Sequence, residues 1–122
     1  MGRYKRGDIV LVPFPFVSIG EGEKRKLRPA LVISVPEHRR YPDVSLLAIT
    51  SKIPDRPTAG EIVLTIEDEH FKETGLAAAS TFRAEFVMTV PESLIHRSIG
   101  HTPPKLLTRI EQAIKISLGL NS

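Results

Sequence analysis

Arg28 stands directly before Pro29, and Thr50 stands directly before Ser51 and Lys52. The proline pushes Arg28 out of helical geometry into extended backbone. It does so where a charged stretch gives way to the apolar run Pro-Ala-Leu-Val-Ile-Ser, residues 29–34. A guanidinium on so stiff a mount suits bidentate contact with a phosphate. Thr50 closes a second apolar run that begins at Val44, and hydroxyls at a strand exit beside a lysine also suit phosphate contact. Both patterns have ordinary readings. An arginine beside a strand is usually surface charge, and Thr-Ser after a strand is usually turn chemistry. Lys24, Arg25, Lys26 and Arg28 place four cations in five positions. Such a run reads as a solvated loop unless an anionic partner gives it a purpose.

Other chemistries lack their residues. The chain has no cysteine, so disulfides, thiolate metal sites and a cysteine nucleophile are all excluded. His96 and His101 are five apart and do not share a helix face, while His38 and His70 sit in polar surroundings. No glycine-rich phosphate loop or G-x-S-x-G elbow is present. Glu67, Asp68 and Glu69 are adjacent, which reads as a solvated turn rather than a two-metal site. No metal or cofactor is expected. The net charge of +3 points only weakly to an anionic partner. Hydrophobic residues make up 41% and charged residues 25%, ordinary for one soluble globular domain over residues 1–122. No run approaches the length of a membrane span, and the basic start lacks the apolar core of a signal peptide, so a cytoplasmic location is expected.

The elements that must position Arg28 and Thr50 are short. Ile9–Phe16, Pro29–Ser34, Val44–Thr50, Glu61–Ile66, Leu76–Phe82 and Phe86–Val90 read as strands, separated by proline- and glycine-bearing loops. Many short strands with turn signals between them predict a barrel or sandwich. The C-terminal part differs: Thr102 is placed to cap a helix that opens with Pro103 and Pro104. Leu107, Ile110, Ile114 and Leu118 recur at helical spacing, and Gly119 offers a stop. The expected fold is therefore mainly β, with one C-terminal amphipathic helix docked on it.

These same residues carry a family resemblance. Lys5-Arg6-Gly7-Asp8-Ile9-Val10, then Arg28-Pro29-Ala30-Leu31-Val32-Ile33-Ser34 after a charged loop, resembles the opening of the MazF/PemK (Kid) toxins of type II toxin–antitoxin systems. Ile49-Thr50-Ser51-Lys52-Ile53 is similar to that family's threonine-bearing third-strand motif. Ser80 through Val90, then Ser93-Leu94-Ile95 and Ile99-Gly100-His101, is similar to its later core, and Ile110 to Leu120 resembles its final helix. The resemblance implies an SH3-like small β-barrel forming a homodimer, sequence-selective cleavage of single-stranded RNA, and neutralisation by a cognate antitoxin. It implies that Arg28 and Thr50 are catalytic, that Glu23 helps shape the site, and that Ser80 and Glu85 face RNA. Many relatives carry Gln where this chain has Phe86, and some carry a cation where it has Met88; Arg83 is the expected compensation.

RNA brings its own nucleophile, the 2′-hydroxyl, so cleavage to a 2′,3′-cyclic phosphate and a 5′-hydroxyl needs no metal and no cysteine. The protein must align the attack, stabilise charge on the phosphorane and manage two protons. Arg28 fits charge stabilisation, since a guanidinium does not give up its proton in proteins. Thr50 fits a hydrogen bond to a phosphoryl oxygen; Glu23, Glu85 or water would accept the proton. Lys24, Arg25, Lys26 and Lys52 would draw in the strand, with Ser51 beside them. Two other readings stay open: a gyrase-poisoning toxin of the CcdB type and a catalytically silent nucleic-acid-binding barrel. The chain has no Trp to anchor the first, and keeping both Arg28 and Thr50 weighs against the second.

Overall fold

Ten prolines cut the chain into segments too short for long helices, and the apolar runs between them are rich in Val, Ile and Leu. A computed structural model describes residues 3–14 and 26–120. Glu23, Lys24 and Arg25 lie outside the described residues, as does the end of the first expected strand. Six antiparallel strands form one sheet: β1 (Asp8–Phe14), β2 (Lys26–Val32), β3 (Asp43–Thr50), β4 (Glu61–Leu64), β5 (Ser80–Pro91) and β6 (Arg97–His101). Their order is β4-β5-β3-β2-β1-β6, and the sheet curls into a half-barrel with one helix, α1 (Pro104–Ser117). No helix of the described residues is long and apolar enough to cross a membrane.

Period-two alternation gives the sheet two apolar faces. Ile9, Leu31, Leu47, Ile49, Leu64 and Phe82 point to one side, where Leu106, Ile110 and Ala113 of α1 cover them. Val10, Val12, Ala30, Val32, Leu46 and Val90 point to the other, closed in part by Tyr4 and Ile95. Fully buried side chains such as Phe82 and Ile110 each contribute about 1.5–3 kcal/mol by leaving water.

The strands differ from expectation in instructive places. β2 begins at Lys26 rather than Pro29, because Lys26, Leu27 and Arg28 pair with Phe14, Pro13 and Val12 of β1. Pro29 falls where β3 has not yet joined, since β2–β3 pairing starts at Ala30; a missing N–H is tolerated at such an edge. β4 stops at Leu64, and a turn closed by the Asp68 N–H to the Thr65 carbonyl leaves Ile66 59% exposed. The two strands expected at 76–82 and 86–90 are one, β5, interrupted by a bulge. Leu76 to Ala79 lies outside it, after a short 3₁₀ turn at Phe71–Thr74.

β6 has no counterpart among the expected strands. The helix stripe is centred on Leu106, Ile110 and Ala113, with Leu107 and Ile114 flanking it and Leu118 60% exposed. Thr102 does not cap α1. Pro103 holds the cap position, the Thr102 N–H continues the ladder to Gly7 at 2.8 Å, and its buried hydroxyl has no partner among the described residues. Gly119 does end the helix, with the Leu120 N–H reaching back to the Lys115 carbonyl at 2.8 Å.

β6 packs against the 3₁₀ turn through two glycines. A Cβ on Gly75 would lie 1.9 Å from the Ile99 carbonyl oxygen, and one on Gly100 would lie 2.5 Å from the Glu73 carbonyl oxygen. Gly75 also has φ +71, so a side chain there meets both backbone strain and a clash. Gly75→Ala is expected to cost about 2–5 kcal/mol, the sum of strain and overpacking. Gly119→Ala, at φ +70 but facing open space, is expected to cost only about 1–2 kcal/mol. Urea unfolding of both variants checks the contrast, and equal losses would contradict it.

Candidate active site

The cleft sits on the Val12 face of the sheet, where β1, β2, β3 and β5 meet. Val12 pairs with Arg28, Ala30 with Ala48, and Ala48 with Arg83, so these residues share a face across four strands. They enclose about 260 Å³ together with Pro29, Ile49, Thr50, Lys52, Phe86 and Met88.

Arg83 reaches this face only because of the bulge. Leu47 pairs with Val87 and Leu46 with Met88, but the next β3 residue, Ala48, pairs with Arg83. Ala84, Glu85 and Phe86 therefore have no partner on β3. Positions 83 and 88 differ by an odd number, so a regular strand would put them on opposite faces. Three extra residues flip that parity and bring Arg83 and Met88 to the same cleft.

The polar groups are tightly placed. The Thr50 hydroxyl accepts the Lys52 N–H at 3.2 Å, and Thr81 donates its hydroxyl to the Lys52 carbonyl at 2.8 Å. Lys52 is thus pinned at both ends of its peptide, and Thr50 keeps its own proton for the cleft. Arg83 Nη2 lies 3.1 Å from Glu85 Oε1, and Arg83 Cζ stands 5.4 Å from the centre of the Phe86 ring. Arg28 is exposed and has no ion-pair partner among the described residues. The described lining carries three cations, one aliphatic hydroxyl and no carboxylate; with Arg83 paired to Glu85, Arg28 and Lys52 set a field that attracts an anion.

Of the residues singled out in the sequence, Arg28, Thr50, Lys52 and Arg83 come together here. Lys26 is exposed and two residues along β2 from Arg28, on the same face. Glu85 lies beside the cleft, held by Arg83, and Ser51 is exposed outside the lining. Ser80 does not join them. It is 4% exposed, pairs with Leu64 and donates its hydroxyl to the Ala78 carbonyl at 2.9 Å, which leaves it closed to a strand lying in the cleft. The apolar wall of Val12, Ala30, Ala48, Phe86 and Met88 was not anticipated. Alanine and valine carry no chemical signal, and Phe86 stood out only as a departure from the family pattern.

A cation-lined cleft on a curled antiparallel sheet, backed by one C-terminal helix, defines a class of small β proteins with a cleft suited to an anion. Residues 5–118 match the family described as PemK-like, MazF-like toxin of type II toxin-antitoxin system, and the chain belongs to that family. None of the curated proteins matches it. Solved structures match its fold. It is similar to an endoribonuclease from mycobacterial species, with 18% identity, TM-score 0.74 and coverage of 100% of this chain and 97% of that one. It is similar to an endoribonuclease in complex with its cognate antitoxin from mycobacterial species, with 19% identity, TM-score 0.71 and 98% of both chains covered. It is also similar to a MazE–MazF structure from Deinococcus radiodurans, with 17% identity, TM-score 0.73 and 97% of both chains covered.

The acidic stretch lies apart from the cleft, and among the described residues no group of three His, Asp or Glu is arranged to hold a metal. Its acids instead surround His70. Glu73 Oε1 lies 2.9 Å from Nδ1 and Glu69 Oε1 3.3 Å from Nε2. The hydrogen bond to Glu73 raises the His70 pKa above its usual 6.5, loss of hydration opposes it, and the charges of Glu69, Glu73 and Asp68 add to the rise. A raised folded value means that the stabilisation is fully present below the unfolded value and fades as pH climbs through the folded one. His70→Gln is expected to lower the urea midpoint at about pH 5, with the gap to the parent narrowing by about pH 8. A gap that widens with pH would contradict this pairing.

Proposed function

We propose that this chain is an endoribonuclease toxin that cuts single-stranded RNA by 2′-hydroxyl attack, without a metal, and that a cognate antitoxin neutralises it in the cytoplasm. The observation that carries the reading is the convergence of Arg28, Lys52 and Arg83 with the Thr50 hydroxyl on a cleft whose described lining has no carboxylate. The similar folds named as endoribonucleases, one of them bound to its antitoxin, support it. No feature of the cleft favours a gyrase-poisoning role.

In the proposed reaction the 2′-oxygen bonds to the neighbouring phosphorus as the bond to the 5′-oxygen breaks. The 2′-hydroxyl loses a proton and the departing 5′-oxygen gains one. Arg28 faces the phosphoryl oxygens as a bidentate donor, and Lys52 adds a second charge. Thr50, one of its lone pairs occupied by the Lys52 N–H, donates its proton toward a phosphoryl oxygen. Glu85 is engaged by Arg83, so Glu23 or water is the better candidate to accept the proton. Lys24, Arg25 and Lys26 draw in the strand by its phosphates.

The test uses a short oligoribonucleotide in EDTA. Cleavage is expected to persist, to leave a 5′-hydroxyl end, and to stop when the ribose beside the scissile phosphate is replaced by deoxyribose while binding continues. Arg28→Ala and Thr50→Ala are each expected to slow cutting by about 10²–10³-fold with the fold intact by circular dichroism. Arg28→Lys is expected to fail as well. Loss of activity in EDTA that magnesium restores would overturn the mechanism. Two copies are proposed to enclose the strand, so light scattering is expected to report twice 13.5 kDa.

A further inference from the structure

Arg83 is held unlike the other cations of the cleft. Glu85 Oε1 holds one edge of its guanidinium at 3.1 Å, and the Phe86 ring backs it at 5.4 Å. Both come from the bulge that no β3 residue faces. A guanidinium fixed at an edge and backed by a ring has a defined plane. Its charge is already paired, so it adds less to phosphate neutralisation than Arg28 or Lys52. Its side chain is nevertheless 37% exposed and lines the cleft. Ala48 pairs opposite it, and Val12, Ala30 and Met88 add aliphatic surface to a lining that Arg28, Thr50 and Lys52 complete.

A flat cation beside an aliphatic wall fits an unpaired nucleobase better than a second phosphate. Bases splayed from single strands stack on guanidinium planes as they do on aromatic rings. We propose that Arg83, backed by Phe86 and aligned by Glu85, is a stacking platform for one base next to the scissile phosphate. The inference rests on the proposed RNA-cleaving reading and names how the same cleft selects its substrate. Stacking follows the area of the base. The platform therefore favours a purine over a pyrimidine at that one position, through its larger stacking surface.

The experiment measures binding of a fluorescent oligoribonucleotide that carries one deoxyribose at the scissile position and one abasic site, moved in turn through the flanking positions. The parent protein is expected to lose about five- to hundredfold in affinity when the abasic site reaches the platform position, and little elsewhere. Arg83→Lys keeps the charge and loses the plane. It is expected to weaken binding of the intact strand by a similar factor and to become indifferent to the abasic site at that position. Phe86→Leu, which keeps an apolar side chain and loses the ring, is expected to do the same and stands in if Arg83→Lys fails to fold. Parent-like binding by Arg83→Lys, or losses that multiply when variant and abasic strand are combined, would overturn the platform. The ribose version of the strand, assayed for cutting, separates the two readings. Position-dependent binding without cutting would keep the platform and remove the cleavage, whereas cutting with no abasic-sensitive position would do the reverse.

Discussion

The break in pairing between β3 and β5 governs the cleft. Up to Leu47 the two strands run in regular register; from Ala48 onward β5 has advanced by three unpaired residues. Because side chains alternate with a period of two, an odd insertion reverses which face every later residue serves. Phe82 is thereby sent into the helix-side core, while Arg83 is turned to the face that already holds Arg28 and Thr50. Ala84 is buried with Phe82, Glu85 stays exposed, and Phe86 turns into the cleft. One irregularity thus supplies a cation, its carboxylate and its aromatic backing together.

The remaining polar groups rely on regular pairing. Arg28 is fixed opposite Val12 and Thr50 opposite Thr81, so their spacing is set by the sheet and not by loop conformation. Groups mounted on packed strands need little reorganisation when charge develops on a substrate, which is the condition for electrostatic stabilisation. Lys52 lies beyond the end of β3, yet its peptide is bonded on one side to Thr50 and on the other to Thr81. The helix-side core, in which Leu106, Ile110 and Ala113 of α1 join Ile9, Leu31 and Leu47, gives this arrangement its rigid backing.

Arg28 and Thr50 were legible in the sequence because local chemistry marks them: a proline fixes the backbone after one, and an apolar run ends at the other. The strands with clean alternation, such as Val44–Thr50, were legible for the same reason. β6 was not, because Arg97-Ser98-Ile99-Gly100-His101 carries a single large apolar residue and owes its extended form to pairing with β1 and to the close approach at Gly75. The bulge was hidden because Arg83-Ala84-Glu85 reads as a mostly polar gap between the strands expected at 76–82 and 86–90. Only the partner strand reveals that the gap is continuous β5. Thr102 looked like a helix cap by type and position, but the ladder to Gly7 claimed its backbone first.

The place of β6 beside β1 has a bearing on how the protein is born. Every residue of the cleft, from Val12 to Met88, precedes β6 and α1 in the chain, yet β6 is the outer neighbour of β1 and α1 covers one face of the sheet. During synthesis the nascent polypeptide therefore carries all of its cleft side chains before it has the segments that hold the sheet in shape. Non-local pairings of this kind form slowly, after their entropy of closure has been met. The sheet that carries the cleft is therefore expected to reach its final packing only once those later segments have emerged.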